Sequence, residues 1–473
     1  MAESIQFEAD DEPTKGVKIL MGDPKKAILT LSLPMIVAMS VQTIYNVVDA
    51  IWVSGLGADA LSAVGFFFPF FFMIMALSNG LGVGGGSAVS RRIGARDKSG
   101  ANVVATHTIL LMVILAICFS LPLFFFIEEI FYRMGAGNIT AIATQYARIL
   151  FAGTIIIFFS NIGNALLRGE GDATRAMYAL TSGAVLNIIL DPIFIYVLDM
   201  GVAGAAWATL VSISFAAAIL FYWIFRKKDT YVSIHFHDFK FDITVIREIL
   251  QVGLPAAIMQ LSMSFSMLML NLIVVQAGGT DGIAVFSTGW RVATFGSLPL
   301  IGIATAVTAV TGAAYGSRAY KKLDTAFLYA VKTGIKIEIV IALVIFLLAP
   351  QITLLFTLSQ DAARISGDLI VFLRTMVFYF PTVSIGMLSS AMFQGTARGI
   401  NSLIATIVRT LVLTVPLTYV LALYLGNGLP GVWWGIVAGN VTGSVIAFIW
   451  ARLYISQLLK KENEPFIQAP YTG

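Results

Sequence analysis

The chain reads as an all-α polytopic membrane protein, with twelve transmembrane helices in two six-helix bundles related by a pseudo-two-fold axis along the membrane normal. Three observations predict this. Of 473 residues, 58% are hydrophobic and only 12% are charged, roughly half the charge of a soluble domain. Twelve stretches hold the roughly 20 apolar residues needed to cross a bilayer. Segments of the first half also recur in the second. A repeat with an even number of helices enters the membrane twice in the same orientation.

The elements follow in chain order. Residues 1–26 open on MAESIQFEADDEPTKG, acidic and polar, without the apolar core or small-residue cleavage site of a secretory signal. A cytoplasmic tail is expected. The N-lobe, 27–225, has spans at 27–55, 61–90, 102–127, 138–163, 174–199 and 202–225. The first carries Pro34, Gln42, Tyr45, Asn46 and Asp49. The second ends in GLGVGGGS (80–87), which follows no strand and lacks GK[ST], so it is not a phosphate loop. Its glycines suit hinges or close helix packing. Cys118 in the third is the only cysteine, so no disulfide forms within the chain. The fourth runs into Asn161 and Asn164, the fifth carries Asn187, Asp191 and Pro192, and the sixth carries Thr209.

Residues 226–246 form a polar linker expected at the membrane surface. His235 and His237 lie there in a surface loop rather than a metal site. The C-lobe, 247–455, has spans at 247–277, 283–314, 326–350, 364–388, 401–425 and 429–455. Its intramembrane charges are Arg291, Lys332, Lys336, Glu338, Arg374 and Arg409; the N-lobe adds Arg148. Lys332 and Lys336 are placed to snorkel. Glu338 is expected to pair with a base on a neighbouring helix. Residues 456–473 form a second cytoplasmic tail.

Charge placement tests the count. With the N-terminus inside, twenty-two of the 30 Lys and Arg fall in inner segments, Arg133 and Arg364 fall in outer loops, and six lie within helices. Missing or inventing one span would destroy this positive-inside bias. Both termini are therefore expected in the cytoplasm.

The repeat pairs ILTLSLPMIVA (28–38) with ILQVGLPAAIM (249–259), so Pro34 stands against Pro255. AVSRRIGAR (88–96) pairs with AVTGAAYGSR (309–318), and GVAGAAWAT (201–209) with GLPGVWWGI (428–436). LLRGEGDATRAM (166–177) pairs loosely with MFQGTARGINSL (392–403). In this register Leu270 opposes Asp49 and Leu417 opposes Asp191.

A carboxylate at bilayer depth costs about 2.5–3.5 kcal/mol on insertion scales and is a functional-site hypothesis by default. Asn187 and Asp191 are four residues apart and share a helix face. Pro192 loosens the hydrogen-bond ladder beside them. By topology Asp49, Asn187, Asp191 and Thr209 lie at similar depth. Two carboxylates, an amide and a hydroxyl are hard oxygen donors, suited to Na⁺ or to protons. Two acids held close titrate as one unit. Gln42, Asn161 and Asn164 are polar groups in apolar company, placed to line a cavity rich in Phe and Met.

At these residues the chain resembles the MATE family, the multidrug and toxic compound extrusion transporters, and within it the DinF-like prokaryotic branch. The resemblance rests on LPMIVAMSVQTIYNVVDAIWVSGLG (33–57), GVGGGSAVSRRIGARD (82–97), LLRGEGDAT (166–174), LNIILDPIFIYV (186–197) and GVAGAAWAT (201–209). It implies two lobes around a V-shaped cleft and antiport against H⁺ or Na⁺. It places an ion and proton site, including a possible Na⁺ site, on Asp49, Asn187, Asp191 and Thr209, with Tyr146 beside it. It implies substrate contacts at Gln42, Asn161 and Asn164 and a bending point at Pro34. It also singles out Glu170.

A secondary antiporter exporting cationic or amphipathic compounds is therefore expected. It needs no cofactor beyond H⁺ or Na⁺, and its partners are the lipid bilayer and the substrate. A monomer is expected. No basic run interleaved with aromatics invites nucleic acid. The alternative is a flippase of lipids or lipid-linked oligosaccharides, for which Arg291, Arg374 and Arg409 would serve a pyrophosphate. A channel or receptor fits the repeated lobes less well. No HExxH, GxSxG or GxGD-type protease pair points to an enzyme.

Overall fold

The computed structural model describes residues 13–227, 229–234, 239–357 and 363–463, and those residues are overwhelmingly helical, with no strand. The first half comprises α1 (Lys15–Met21), α2 (Pro24–Ser54), α3 (Ala58–Gly94), α4 (Lys98–Arg133), α5 (Thr140–Ala152), α6 (Thr154–Gly169), α7 (Ala173–Pro192) and α8 (Gly201–Phe221). The second comprises α9 (Ile243–Gly296), α10 (Leu298–Gly316), α11 (Tyr320–Phe356), α12 (Ser366–Met376), α13 (Phe380–Gly395), α14 (Gly399–Ile407), α15 (Val415–Tyr419) and α16 (Gly428–Asn463). Aspartates start several of them. Asp23, Asp97, Asp172 and Asp242 accept hydrogen bonds from the free N–H groups of Lys26, Gly100, Arg175 and Thr244.

Ten helical segments are each long and apolar enough to cross a membrane, and two bent pairs raise the count to twelve. One pair is α5 and α6, bent by 49° at Gly153; the other is α12 and α13, bent by 53°. At 54 residues, α9 would be about 80 Å long if straight. It is instead broken at Gly279, whose φ of 60° and ψ of −149° favour glycine. Residues 243–278 form the seventh span, and residues 280–316, including α10, form the eighth.

Several expectations are revised. Residues 13–26 are not a plain tail, because α1 packs Val17 and Leu20 into the core. Residues 1–12 and 464–473 of the two tails lie outside the described residues, as do His235 and His237. The glycine run 80–87 is not a break in α3. A Cβ on Gly80 would lie 2.7 Å from the Gly253 carbonyl oxygen of α9, so the run brings the two lobes into backbone contact. Glu338 has no ion pair among the described residues. Lys332 and Lys336 are exposed, as snorkelling requires.

The repeat is visible in backbone detail. Arg96 and Arg318 both take φ near 60°, at 59° and 57°. Asp199 pairs with Gly426, and Gly201 with Gly428, again with positive φ. Gly204 packs on Phe194 just as Gly431 packs on Leu421. These markers set the register of the fifth and sixth spans. They place Thr418, not Leu417, opposite Asp191, and Thr414 opposite Asn187. The slip arises because Val408–Thr414 forms a π segment, a wider turn that absorbs an extra residue.

Candidate functional site

Asp49 projects from α2 and Asp191 from α7, two helices that pack together. Their carboxyl groups lie within hydrogen-bonding reach of each other. Asp191 is 0% exposed, whereas Asp49 is half-buried. Asn187, 2% exposed, donates from Nδ2 to Asp191 Oδ1 at 3.1 Å. Asn187 Oδ1 and Asp191 Oδ2 are buried without a donor among the described residues. Two acceptor oxygens with no donor leave the site short of positive charge, which suits a proton or a hard cation.

Aromatic groups enclose the pair. Tyr45, one turn before Asp49, and Tyr146 of α5 both lie within electrostatic range of Asp49 and Asp191. Tyr146 meets Phe67 edge-on at 5.4 Å and packs on Val53, Ile195 and Ala205. After Pro192, α7 continues as the π turn Ile193–Val197. From that turn Tyr196 Oη donates to the Trp52 carbonyl at 2.6 Å, tying α7 to the C-terminal end of α2. In the sequence Tyr45 stands only as a polar residue of the first span. Its spacing of four from Asp49 is the signal that places it on the same helix face. The Trp52–Tyr196 tie leaves no sequence signal.

The remaining predicted residues spread out. Thr209 is half-buried on α8 and makes no side-chain hydrogen bond among the described residues. Gln42 is half-buried on α2. Asn161 donates to Ser78 Oγ at 3.0 Å. Asn164 does not face a cavity. It is 1% exposed, donates to the Ala176 carbonyl at 2.8 Å and accepts from Arg168 at 2.6 Å. Pro34 lies within an unbroken α2. Among the C-lobe arginines, Arg291 and Arg374 are exposed, and Arg374 sits over the Phe346 ring at 5.4 Å.

The lobes meet at the end of the bundle away from Asp49. There Glu248 of α9 bridges Arg91 (3.3 Å) and Arg92 (2.8 Å) of α3. Arg91 also reaches Ser87 Oγ at 2.7 Å, and Ser87 donates to the Gln394 carbonyl at 3.0 Å. Lys322 donates to the Met21 carbonyl at 3.1 Å, fastening α1 across the seam. The linker seals the same end. Glu170 is buried at the C-terminus of α6 and accepts from Val232 N–H at 3.0 Å. Burial pushes its carboxyl up to about 8. Asn102 accepts from Ser233 N–H at 2.8 Å, and His107 Nε2 accepts from Asp242 N–H at 3.0 Å.

With this geometry in hand, known proteins are informative. The family model MatE matches residues 34–193 and again 255–420, one match to each half of the repeat. The multidrug export protein MepA of Staphylococcus aureus (strain MSSA476) is 30% identical over 390 residues, covering 81% of this chain and 84% of that protein. A solved outward-facing multidrug resistance MATE family transporter of the MOP superfamily is 51% identical with a TM-score of 0.93, covering 95% of this chain and 100% of that one. A MOP superfamily transporter from Pyrococcus furiosus, described as having a binding pocket of reverse polarity that suggests a different function, is 51% identical with a TM-score of 0.92 at the same coverage.

Proposed function

The chain belongs to the MatE family, the multidrug and toxic compound extrusion transporters, and on that premise we propose that it exports cationic or amphipathic small molecules in exchange for H⁺ or Na⁺. The observation that carries the coupling reading is the contact between the Asp49 and Asp191 carboxyl groups, with no ion pair to a base among the described residues. Two carboxylates this close in a low dielectric cannot both be charged without large repulsion, so a proton shared between them holds the pair together. Losing that proton, or gaining a cation, changes how tightly α2 and α7 are held.

Alternating access follows from where the lobes touch. With the termini in the cytoplasm of a prokaryotic cell, the Arg91–Arg92–Glu248 end faces inward and is closed. The cleft beside Asp49 then opens outward. Proton entry from that side recharges the acid pair and releases substrate. Pro34, which leaves a carbonyl of α2 without its helical donor, is the bending point. One pH unit supplies about 1.4 kcal/mol and 100 mV about 2.3 kcal/mol per charge moved. The flippase alternative draws less support, because Arg374 and Arg409 face different surroundings and do not converge on a cavity.

The test uses proteoliposomes with pH and Na⁺ gradients imposed separately and a lipophilic cation as substrate. The expected result is uptake driven by one gradient and abolished by Asp49→Asn and by Asp191→Asn. Undiminished transport in both variants would sink the carboxylate mechanism.

A further inference from the structure

The two helices that carry the acid pair are joined a second time, one turn further on. α2 ends at Ser54, five residues after Asp49, and α7 ends at Pro192, one residue after Asp191. Pro192 has no N–H and gives the ladder no hydrogen bond there, and the chain passes into the π turn Ile193–Val197. The last carbonyls of α2 likewise lack their full helical donors. Tyr196 closes this junction. Its Oη donates to the Trp52 carbonyl at 2.6 Å, and the two rings meet edge-on with centroids 6.0 Å apart. Gly55 makes room for the hydroxyl, since a Cβ there would overlap Tyr196 Oη. Around the tie, Val53, Ile195 and Ala205 form a small apolar cluster into which Tyr146 packs. The C-lobe closes the same junction without such a bond. In the register of the repeat, Trp52 corresponds to Ile273 and Tyr196 to Leu423, both part of an apolar core, while Gly55 corresponds to Gln276. The fold therefore does not need the tie, which stands in the lobe whose helices carry the acids.

Trp52 lies three residues beyond Asp49, one α turn, and Tyr196 lies five beyond Asp191, one π turn. The carboxyl contact and the tie are therefore successive rungs between the same two helices. We propose that Tyr196 is a positioning residue: its bond to the Trp52 carbonyl holds the ends of α2 and α7 together and so fixes the separation at which Asp49 and Asp191 take up their coupling ion. The inference rests on the antiport reading and deepens it. Two carboxylates hold a shared proton because their charged forms repel, and that repulsion halves when their separation doubles. Their hold on a cation depends equally on both oxygens being kept at the right distance. A loosened junction weakens the ion site without removing any group from it. A tyrosine that merely capped α2 would change stability and leave ion affinity alone.

The test measures the concentration of coupling ion that gives half-maximal transport in proteoliposomes, with H⁺ and Na⁺ varied separately, together with the rate at saturating ion. Tyr196→Phe removes the hydroxyl and keeps the ring. Gly55→Ala keeps the tyrosine and fills the hydroxyl's place, and its backbone, with φ of −65°, accepts alanine. Each variant is expected to raise the half-maximal ion concentration about tenfold, which for H⁺ is about one pH unit to the acid side. The rate at saturating ion should stay near that of the wild type. The double variant should be no worse than the weaker single one, because both changes break one bond. Half-maximal concentrations equal to wild type in both variants, or a change confined to thermal stability and saturated rate, would overturn the proposal. Asp49→Asn and Asp191→Asn are measured in the same assay. If they leave ion-driven transport intact, the acid-pair reading falls and the tie has no ion site to position. If they abolish it while Tyr196→Phe and Gly55→Ala behave as wild type, this inference alone fails.

Discussion

Asp191 in the N-lobe and Thr418 in the C-lobe occupy the same place in two copies of one fold. Each lies on a helix that ends in a π turn, followed by a residue with positive φ. Asp49 likewise corresponds to Leu270, which is buried in the C-lobe core. The backbone repeats down to single dihedral angles, while the chemistry does not. The N-lobe concentrates two acids that meet each other. In the C-lobe Glu338 and Arg409 form no ion pair among the described residues. The comparison teaches that a symmetric backbone need not carry symmetric chemistry: the same place holds a buried carboxylate in one lobe and a buried hydroxyl in the other.

The largest effect expected from breaking this comparison is at Asp191. Asp191→Asn should abolish gradient-driven transport, measured as substrate uptake in proteoliposomes.

Glu170 gives the next largest effect. Its C-lobe counterpart is Thr396, whose hydroxyl donates to the Met392 carbonyl of its own turn. The Glu170 carboxyl keeps its proton up to about 8 when folded, against 4.5 as a free group. Between those values the unfolded chain binds fewer protons than the folded one, so stability falls as pH rises. The wild-type Tm should drop between pH 5 and pH 8.5 by the equivalent of roughly 4 kcal/mol at most. Glu170→Gln should flatten that slope, and a slope unchanged in the variant would exclude Glu170 as its source.

Smaller again is the clamp between the lobes. Glu248→Ala leaves Arg91 and Arg92 without their shared carboxylate and should cost about 1–3 kcal/mol of closure at that end of the bundle. Spin-label distances across the seam would then broaden toward longer separations. Distances identical to wild type would show that the glycine contacts alone hold the seam.

The smallest effect is the control for the whole comparison. Thr418→Val replaces a buried hydroxyl that has no partner with a methyl of similar shape. It should be neutral or stabilising by about 1 kcal/mol, with transport unchanged. A transport loss matching that of Asp191→Asn would erase the asymmetry between the lobes.

The sequence by itself determined the class, the number of spans and the repeat, and it singled out Asp49 and Asp191 as candidates. These follow from local physics: hydrocarbon thickness sets helix length, and a charge inside an apolar run announces its own cost. Tertiary structure alone decided which polar groups meet. Asn164 looked like a cavity residue but is consumed by Ala176 and Arg168. Glu338 looked ready to pair with a base and has no ion pair among the described residues. The bends at Gly153 and Tyr379, the break at Gly279 and the one-residue slip at Val408–Thr414 depend on how helices press on one another. Hydropathy reports whether a helix is buried in lipid or protein but not which neighbour each face meets, and those contacts bring Asp49 to Asp191.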